Sequence, residues 1–145
     1  MEYRNYNGTY YIRMDRGDEI ISGILEMCRK EGISSGIYSG IGGCSEAEIQ
    51  IFIAEKGVFE TERLEGTLEL ISLNGDIMCE PDGALWHHTH ACFSYMKDGE
   101  EHISAGHMKS ITVRYTAEIE FRPVVGGTIG TKFDPETGTK LWDFA

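Results

Sequence analysis

The stretch that decides the fold reads Trp86-His87-His88-Thr89-His90-Ala91-Cys92-Phe93-Ser94-Tyr95-Met96-Lys97-Asp98-Gly99-Glu100-Glu101-His102-Ile103-Ser104-Ala105-Gly106-His107. Asp98-Gly99 is a dipeptide favoured in two-residue type I′ hairpin turns. With that turn at the tip, Lys97 pairs with Glu100, and the ladder runs back until His90 stands opposite His107. His88, two residues from His90, projects from the same face; His87 and His102 project from the other. Directly opposed side chains have Cβ atoms about 4.5–5.5 Å apart, and diagonal ones about 7–8 Å. Register alone therefore gathers His88, His90 and His107 on one face of one hairpin.

Three imidazoles at this spacing can converge on one metal ion, with Zn–N bonds of about 2.0–2.1 Å. Neutral imidazole suits zinc, and nickel, copper and iron are alternatives. Three protein ligands leave a fourth position for water or a substrate atom. A single strand histidine is more often satisfied by hydrogen bonds than by a metal. A cluster differs, because three neighbouring imidazoles repel one another on protonation. Cys92 shares the His90 face and is either a fourth ligand or a small core residue. A bulge at Ala105-Gly106 would shift the pairing and expel His107.

Outward from the hairpin, Thr9 to Met14 is β-branched and aromatic and reads as a first strand. From Asp18 to Glu31 the period becomes helical, with Ile20, Ile21, Ile24, Leu25 and Cys28 forming one apolar stripe. Asp15 and Asp18 supply negative charge at the N-terminus of this helix, Arg29 and Lys30 lie in its last turn, and Gly32 is its stop. Ser35–Ile41 and Glu46–Ile53 read as short strands around a tight turn at Gly42-Gly43. Phe59–Arg63 and Thr67–Leu73 follow, with Asn74-Gly75 as a further turn. Leu85–Met96, Glu101–His107 and Ile111–Phe121 complete a meander. Past Gly126 the chain is Gly- and Thr-rich, with turns at Asp134-Pro135 and Thr137-Gly138, and Leu141, Trp142 and Phe144 are expected to dock on the body. The expected fold is α+β: a mixed, mostly antiparallel sheet or sheets with one main amphipathic helix. It forms one domain over residues 1–145, with a core over about 9–133 and a docking tail over 134–145. One helix covers only part of one sheet face, so oligomerisation is expected.

Composition bounds the function. The chain has 145 residues and a formal charge of −11, enough length for a core without staples and a balance that repels phosphate. Its basic residues are scattered, with Arg29-Lys30 the single adjacent pair. Nucleic-acid binding would need Arg13, Arg16, Arg29, Lys30 and Arg63 to gather on one face, or a separate basic segment. Binding to an anionic membrane is disfavoured for the same reason, and no apolar run approaches the roughly 20 residues of a spanning helix. Met1 to Asn5 carries no apolar core of a signal peptide. Cys28, Cys44, Cys79 and Cys92 are widely spaced, so reduced thiols in the cytoplasm are expected. Gly40-Ile41-Gly42-Gly43 lacks the spacing and following helix of a nucleotide loop. Glu46, Glu48, Glu60, Glu62, Glu65 and Glu69 read as a solvated face from which no general base can be selected.

Several blocks, in order, resemble one family. They are Gly40-Ile41-Gly42-Gly43, the run from Leu64 to Ile77 (Leu-Glu-Gly-Thr-Leu-Glu-Leu-Ile-Ser-Leu-Asn-Gly-Asp-Ile), His88-Thr89-His90, Gly106-His107-Met108 and Thr116-Ala117-Glu118-Ile119. Together they resemble the PPC, or PCC, domain, the plants and prokaryotes conserved domain, over about Tyr11 to Phe133. The resemblance implies an α+β domain that assembles as a homotrimer. In stand-alone prokaryotic members it implies zinc on the two histidines of His-x-His and the histidine after Gly, here His88, His90 and His107. Ala105 stands where the family has a first Gly before Gly106-His107. Plant relatives join the domain to AT-hook segments and regulate transcription; no such segment occurs here. The first expectation is thus a homotrimeric zinc site that binds or hydrolyses a small polar ligand. A DNA-associated regulator and a structural interaction module are the alternatives.

Overall fold

Asp98 and Gly99 both adopt left-handed backbone, with φ of 53° and 83°, the paired positive φ values of a type I′ turn. From Lys97–Glu100 the ladder runs without a slip to His90–His107. The computed structural model describes residues 1–144. In chain order they form β1 (Glu2–Tyr6), β2 (Thr9–Asp15), α1 (Ile20–Glu31), β3 (Gly36–Ile53), β4 (Val58–Cys79), β5 (Leu85–Lys97), β6 (Glu100–Pro123), β7 (Gly130–Asp134) and β8 (Thr139–Asp143).

The fold is a mostly antiparallel sheet with one short helix. Strands run in the order β1-β2-β6-β3-β4-β7-β8, while β5 pairs with both β4 and β6. β3, β4, β5 and β6 therefore form a closed circuit of pairings. β6 is long enough to serve two partners, bonding β5 up to His107 and β3 from His107 onward. The core lies between the inner sheet face and α1, with Met14, Ile24, Ile49, Leu73, Phe93, Ile111 and Phe121 fully buried. Burying each such side chain contributes about 1.5–3 kcal/mol.

α1 buries Ile20, Ile21, Ile24, Met27 and Cys28, so Met27 joins the expected stripe and Leu25 sits at its part-buried margin. The helix starts at Ile20 rather than Asp18, because Glu19 is the cap. Its carboxylate accepts from the Ile21 N–H at 3.1 Å and the Ser22 N–H at 2.7 Å. It also accepts from the Ile111 N–H of β6 at 3.0 Å, which pins the helix to the sheet. Gly32 ends the helix with φ of 68°, the left-handed stop expected there. Cys28 and Cys44 are core residues whose thiols burial pushes up to about 12, and all four cysteines are free.

Three local expectations are corrected. β1 was not anticipated, although Asn7-Gly8 turns into β2 with φ of 52° and 87°. Gly42-Gly43 is not a turn: β3 continues through it, with register shifts at Gly40/Gly42 and at Cys44/Glu46. A Cβ on Gly42 would stand 2.7 Å from both the Ala117 Cβ and the Thr116 carbonyl oxygen, so glycine lets β3 and β6 approach. Asn74-Gly75 is likewise inside β4, where a Cβ on Gly75 would meet the Tyr38 ring at 2.5 Å. The expected short strands on either side of these glycines are thus single long ones.

The C-terminal hairpin touches the body at few points. Gly130 of β7 pairs in parallel with Cys79 of β4. Lys140 of β8 forms an ion pair with Glu80 at 2.5 Å and lies 5.0 Å from the centroid of the Trp86 ring. No helix among the described residues is long and apolar enough to cross a membrane.

Gly42→Ala is expected to destabilise the protein by about 1–3 kcal/mol through overpacking against β6. Gly127→Ala, where an added Cβ meets nothing within 4 Å, should change little. Urea unfolding of the two variants checks the contrast.

Candidate metal centre

β5 supplies His88 and His90, and β6 supplies His107. The strand period puts the first two on one face, and the unbroken ladder places His107 opposite His90. No bulge interrupts Ala105-Gly106. A Cβ on Gly106 would stand 3.0 Å from the Gln50 carbonyl oxygen and 2.9 Å from Ile49 Cγ2, so this glycine admits β3 where β6 changes partner. His107 thus pairs with His90 on one side and Gln50 on the other.

The three rings converge. His88 Nε2 lies 3.2 Å from His90 Nε2 and 3.3 Å from His107 Nδ1, and one ligand atom from each ring falls within 4.8 Å of the others. Tetrahedral bonds of 2.0–2.1 Å around zinc imply nitrogen separations of about 3.3 Å, so the donors fit an ion of that size. Burial lowers the pKa of His90, helped by the His88 charge. Burial lowers that of His107 as well, reinforced by His90 and His88. Both rings are held towards the neutral form that a metal requires.

The flanks are aromatic. Trp86 stacks with His88 at 6.0 Å between centroids, and Phe59 meets His107 edge-on at 5.2 Å. A cleft of about 290 Å³ opens beside the rings, lined by Gln50, Phe59, Trp86, Lys109, Thr139 and Lys140 among others. Lys109 is paired with Glu48 at 3.0 Å.

The other sequence candidates fall away from this centre. His87 is on the opposite face, where its Nδ1 lies 2.9 Å from Thr89 Oγ1, and Thr89 shares a hydrogen bond with the buried Tyr38 hydroxyl. His102 stacks on Tyr95. Cys92 is part-buried between Ser72 and Ala105 in the ladders and adds no donor to the cluster among the described residues. The glutamates form surface pairs, such as Glu46 and Glu65 with Arg63 and Glu60 with Lys56.

The residue that sequence reading missed is Asp76. It stands directly opposite His88 across the β4–β5 ladder, and its Oδ1 is buried with no hydrogen-bond partner among the described residues. Burial holds its carboxyl above the usual range, while the His88 charge and the Trp142 side chain pull it back. Reading Asn74-Gly75 as a turn had removed Asp76 from any strand, and with it the one signal, cross-strand register, that could have found it.

Fold and cluster together define a small β-domain with three convergent imidazoles, and sequence comparison gives its family. Residues 1–124 match the model of the Plants and Prokaryotes Conserved (PCC) domain; the chain belongs to this family. A plant- and prokaryote-conserved (PPC) protein of Pyrococcus horikoshii is 31% identical, with a TM-score of 0.81 over 98% of this chain and 93% of its own. A metal-containing protein of Archaeoglobus fulgidus is 29% identical, with a TM-score of 0.81 over 98% of this chain and 96% of its own. A candidate DNA-binding protein of Bacteroides thetaiotaomicron is 22% identical, with a TM-score of 0.87 over 99% of this chain and 96% of its own. No curated protein matches the chain.

Because the folded state holds His90 and His107 below their ordinary values, the unfolded chain takes up protons first as pH falls. Metal-free protein should therefore lose stability on acidification from about pH 6.5, the unperturbed histidine value, down through the lowered folded values. His88→Ala removes one lowering charge and should move the two remaining titrations upward. Denaturation at stepped pH and histidine NMR titrations check both.

Proposed function

We propose that this chain is a homotrimeric metal-binding PCC domain. His88, His90 and His107 hold zinc, or another divalent transition metal, and the adjoining cleft takes a small polar ligand. The observation that carries the reading is the pair of nitrogen separations, 3.2 and 3.3 Å, which match the edge of a zinc tetrahedron. The metal-containing protein of Archaeoglobus fulgidus, at 29% identity, supports it. A divalent ion supplies Lewis acidity to an oxygen of such a ligand, the basis of hydrolysis. Trp86 and Phe59 fix the ring planes and narrow the approach, while Gln50, Thr139, Lys109 and Lys140 offer polar groups along it. Four free cysteines fit the reducing cytoplasm.

Trimerisation is supported by the sheet face that α1 leaves bare. Tyr11, Ile41, Ile71 and Tyr115 are all at least half exposed. They edge two adjoining hollows that share Ile41 and Ile71, of about 700 and 450 Å³. Patches of this kind on a soluble domain mark association surfaces.

A DNA-binding reading is weaker. Arg13 is engaged by Glu2 and Asp15, and Arg63 by Glu46 and Glu65, so these guanidiniums are neutralised locally. A trimer also multiplies a charge of −11 per chain, which opposes approach to phosphate.

Purified protein should carry close to one equivalent of metal per chain by elemental analysis, and His90→Ala should lose most of it. A wild type free of metal after growth with added zinc overturns the reading. Light scattering should give three chains per particle. Ile41→Glu combined with Ile71→Glu should shift that mass towards the monomer with the metal content kept.

A further inference from the structure

Asp76 poses a problem that the domain's fold does not solve. A buried carboxylate oxygen without a donor carries its full desolvation penalty, and removing such a group normally stabilises a protein. Here it persists at the one position of β4 directly across from His88. Both close nitrogen contacts of His88 use Nε2, so Nδ1 is the atom left outside the cluster. Directly opposed side chains on one sheet face lie about 4.5–5.5 Å apart at Cβ, so a turn of either side chain brings the carboxylate to that ring edge, although Oδ1 has no partner among the described residues. Asp76 is half-buried, and Trp142 of β8 lies beside its carboxylate. The C-terminal hairpin thus encloses the same corner that it walls with Thr139 and Lys140.

We infer that Asp76 is a positioning residue for the metal centre: when the cluster takes a metal, Oδ1 closes on the Nδ1–H of His88 and accepts it, holding the Nε2 lone pair towards His90 and His107. Ligating histidines commonly give their second N–H to a carboxylate, which sets ring orientation and raises ligand basicity. The carboxylate then carries a cost in the metal-free protein that metal binding offsets. The inference rests on the metal reading above.

The test compares wild type, Asp76→Ala, Asp76→Glu and Trp142→Phe. Zinc affinity is measured by competition with a chromophoric chelator, and the His88 Nδ1–H by 15N NMR on zinc-loaded protein. Asp76→Ala should weaken zinc by roughly tenfold or more, with a metal-free unfolding midpoint no lower than wild type. Asp76→Glu should recover part of the loss, and Trp142→Phe, which takes the indole N–H from the carboxylate but leaves Oδ1 free for His88, should stay within about twofold of wild type. In the zinc-loaded protein the His88 Nδ1–H should be shifted downfield and slow to exchange in wild type, and should lose both features in Asp76→Ala. Zinc affinity of Asp76→Ala equal to wild type, or a wild-type His88 Nδ1–H that exchanges as fast as that of Asp76→Ala, overturns the inference while leaving the metal site standing. Equal losses in Asp76→Ala and Trp142→Phe also overturn it, since Asp76 would then be only an anchor for the hairpin. Wild type unable to bind zinc overturns the metal reading, and this inference falls with it.

Discussion

The centre depends on the register of the β5–β6 ladder. Strand side chains alternate faces with a period of two, so a slip by one residue would turn His107 away from His88 and His90. The Asp98-Gly99 turn fixes that register at one end, because a two-residue turn with both φ positive admits one pairing. At the other end it is fixed by the exchange of partners on β6, where His107 is bonded to β5 through His90 and to β3 through Gln50. The junction of two ladders is stiffer than a free hairpin end. This stiffness lets three rings stand with nitrogens 3.2 and 3.3 Å apart despite their mutual repulsion on protonation.

The same circuit explains which features were legible in the sequence. The hairpin and α1 are encoded locally: Asp98-Gly99 for the turn, the three- and four-residue spacing of Ile20, Ile21 and Ile24, and Gly32 for the stop. What failed was the meaning of Gly42-Gly43 and Asn74-Gly75. A glycine required by a positive φ and one required by a close neighbour look identical in a chain of letters. The difference lies in the partner, Ala117 for Gly42 and the Tyr38 ring for Gly75, and partners distant in sequence are not written beside the glycine. Reading these sites as turns cut β3 and β4 into pieces and hid Asp76. The His88–His90–His107 set survived because its whole geometry follows from one local turn.

Electrostatics separates the centre from the rest of the surface. The outer strands carry acidic side chains paired with nearby arginines and lysines, arrangements worth little individually in water. The imidazole cluster sits instead between Trp86 and Phe59, where burial and neighbouring rings favour neutral His90 and His107. A chain with a charge of −11 attracts cations over its whole surface, yet it gathers neutral nitrogen donors at one point only among the described residues. Neutral nitrogen donors suit borderline-soft transition metals better than the hard cations that carboxylate clusters hold.

Donors and surroundings come from different parts of the chain. All three imidazoles lie within the residues 1–124 matched by the family model, on strands whose register the fold dictates. Thr139, Lys140 and Trp142 lie beyond those residues, on a hairpin tied to the body by one parallel pair at Cys79–Gly130, the Lys140–Glu80 ion pair and the contacts of Trp86 and Asp76. Changing a residue on β5 or β6 disturbs ladder, core and donors together. Changing one on β8 alters the cleft wall and little else, because few contacts hold the hairpin. The cleft beside the imidazoles is walled mainly by β5 and β6, and Thr139 and Lys140 of β8 close one side of it, so β8 is the part of that wall that can change without disturbing the donors.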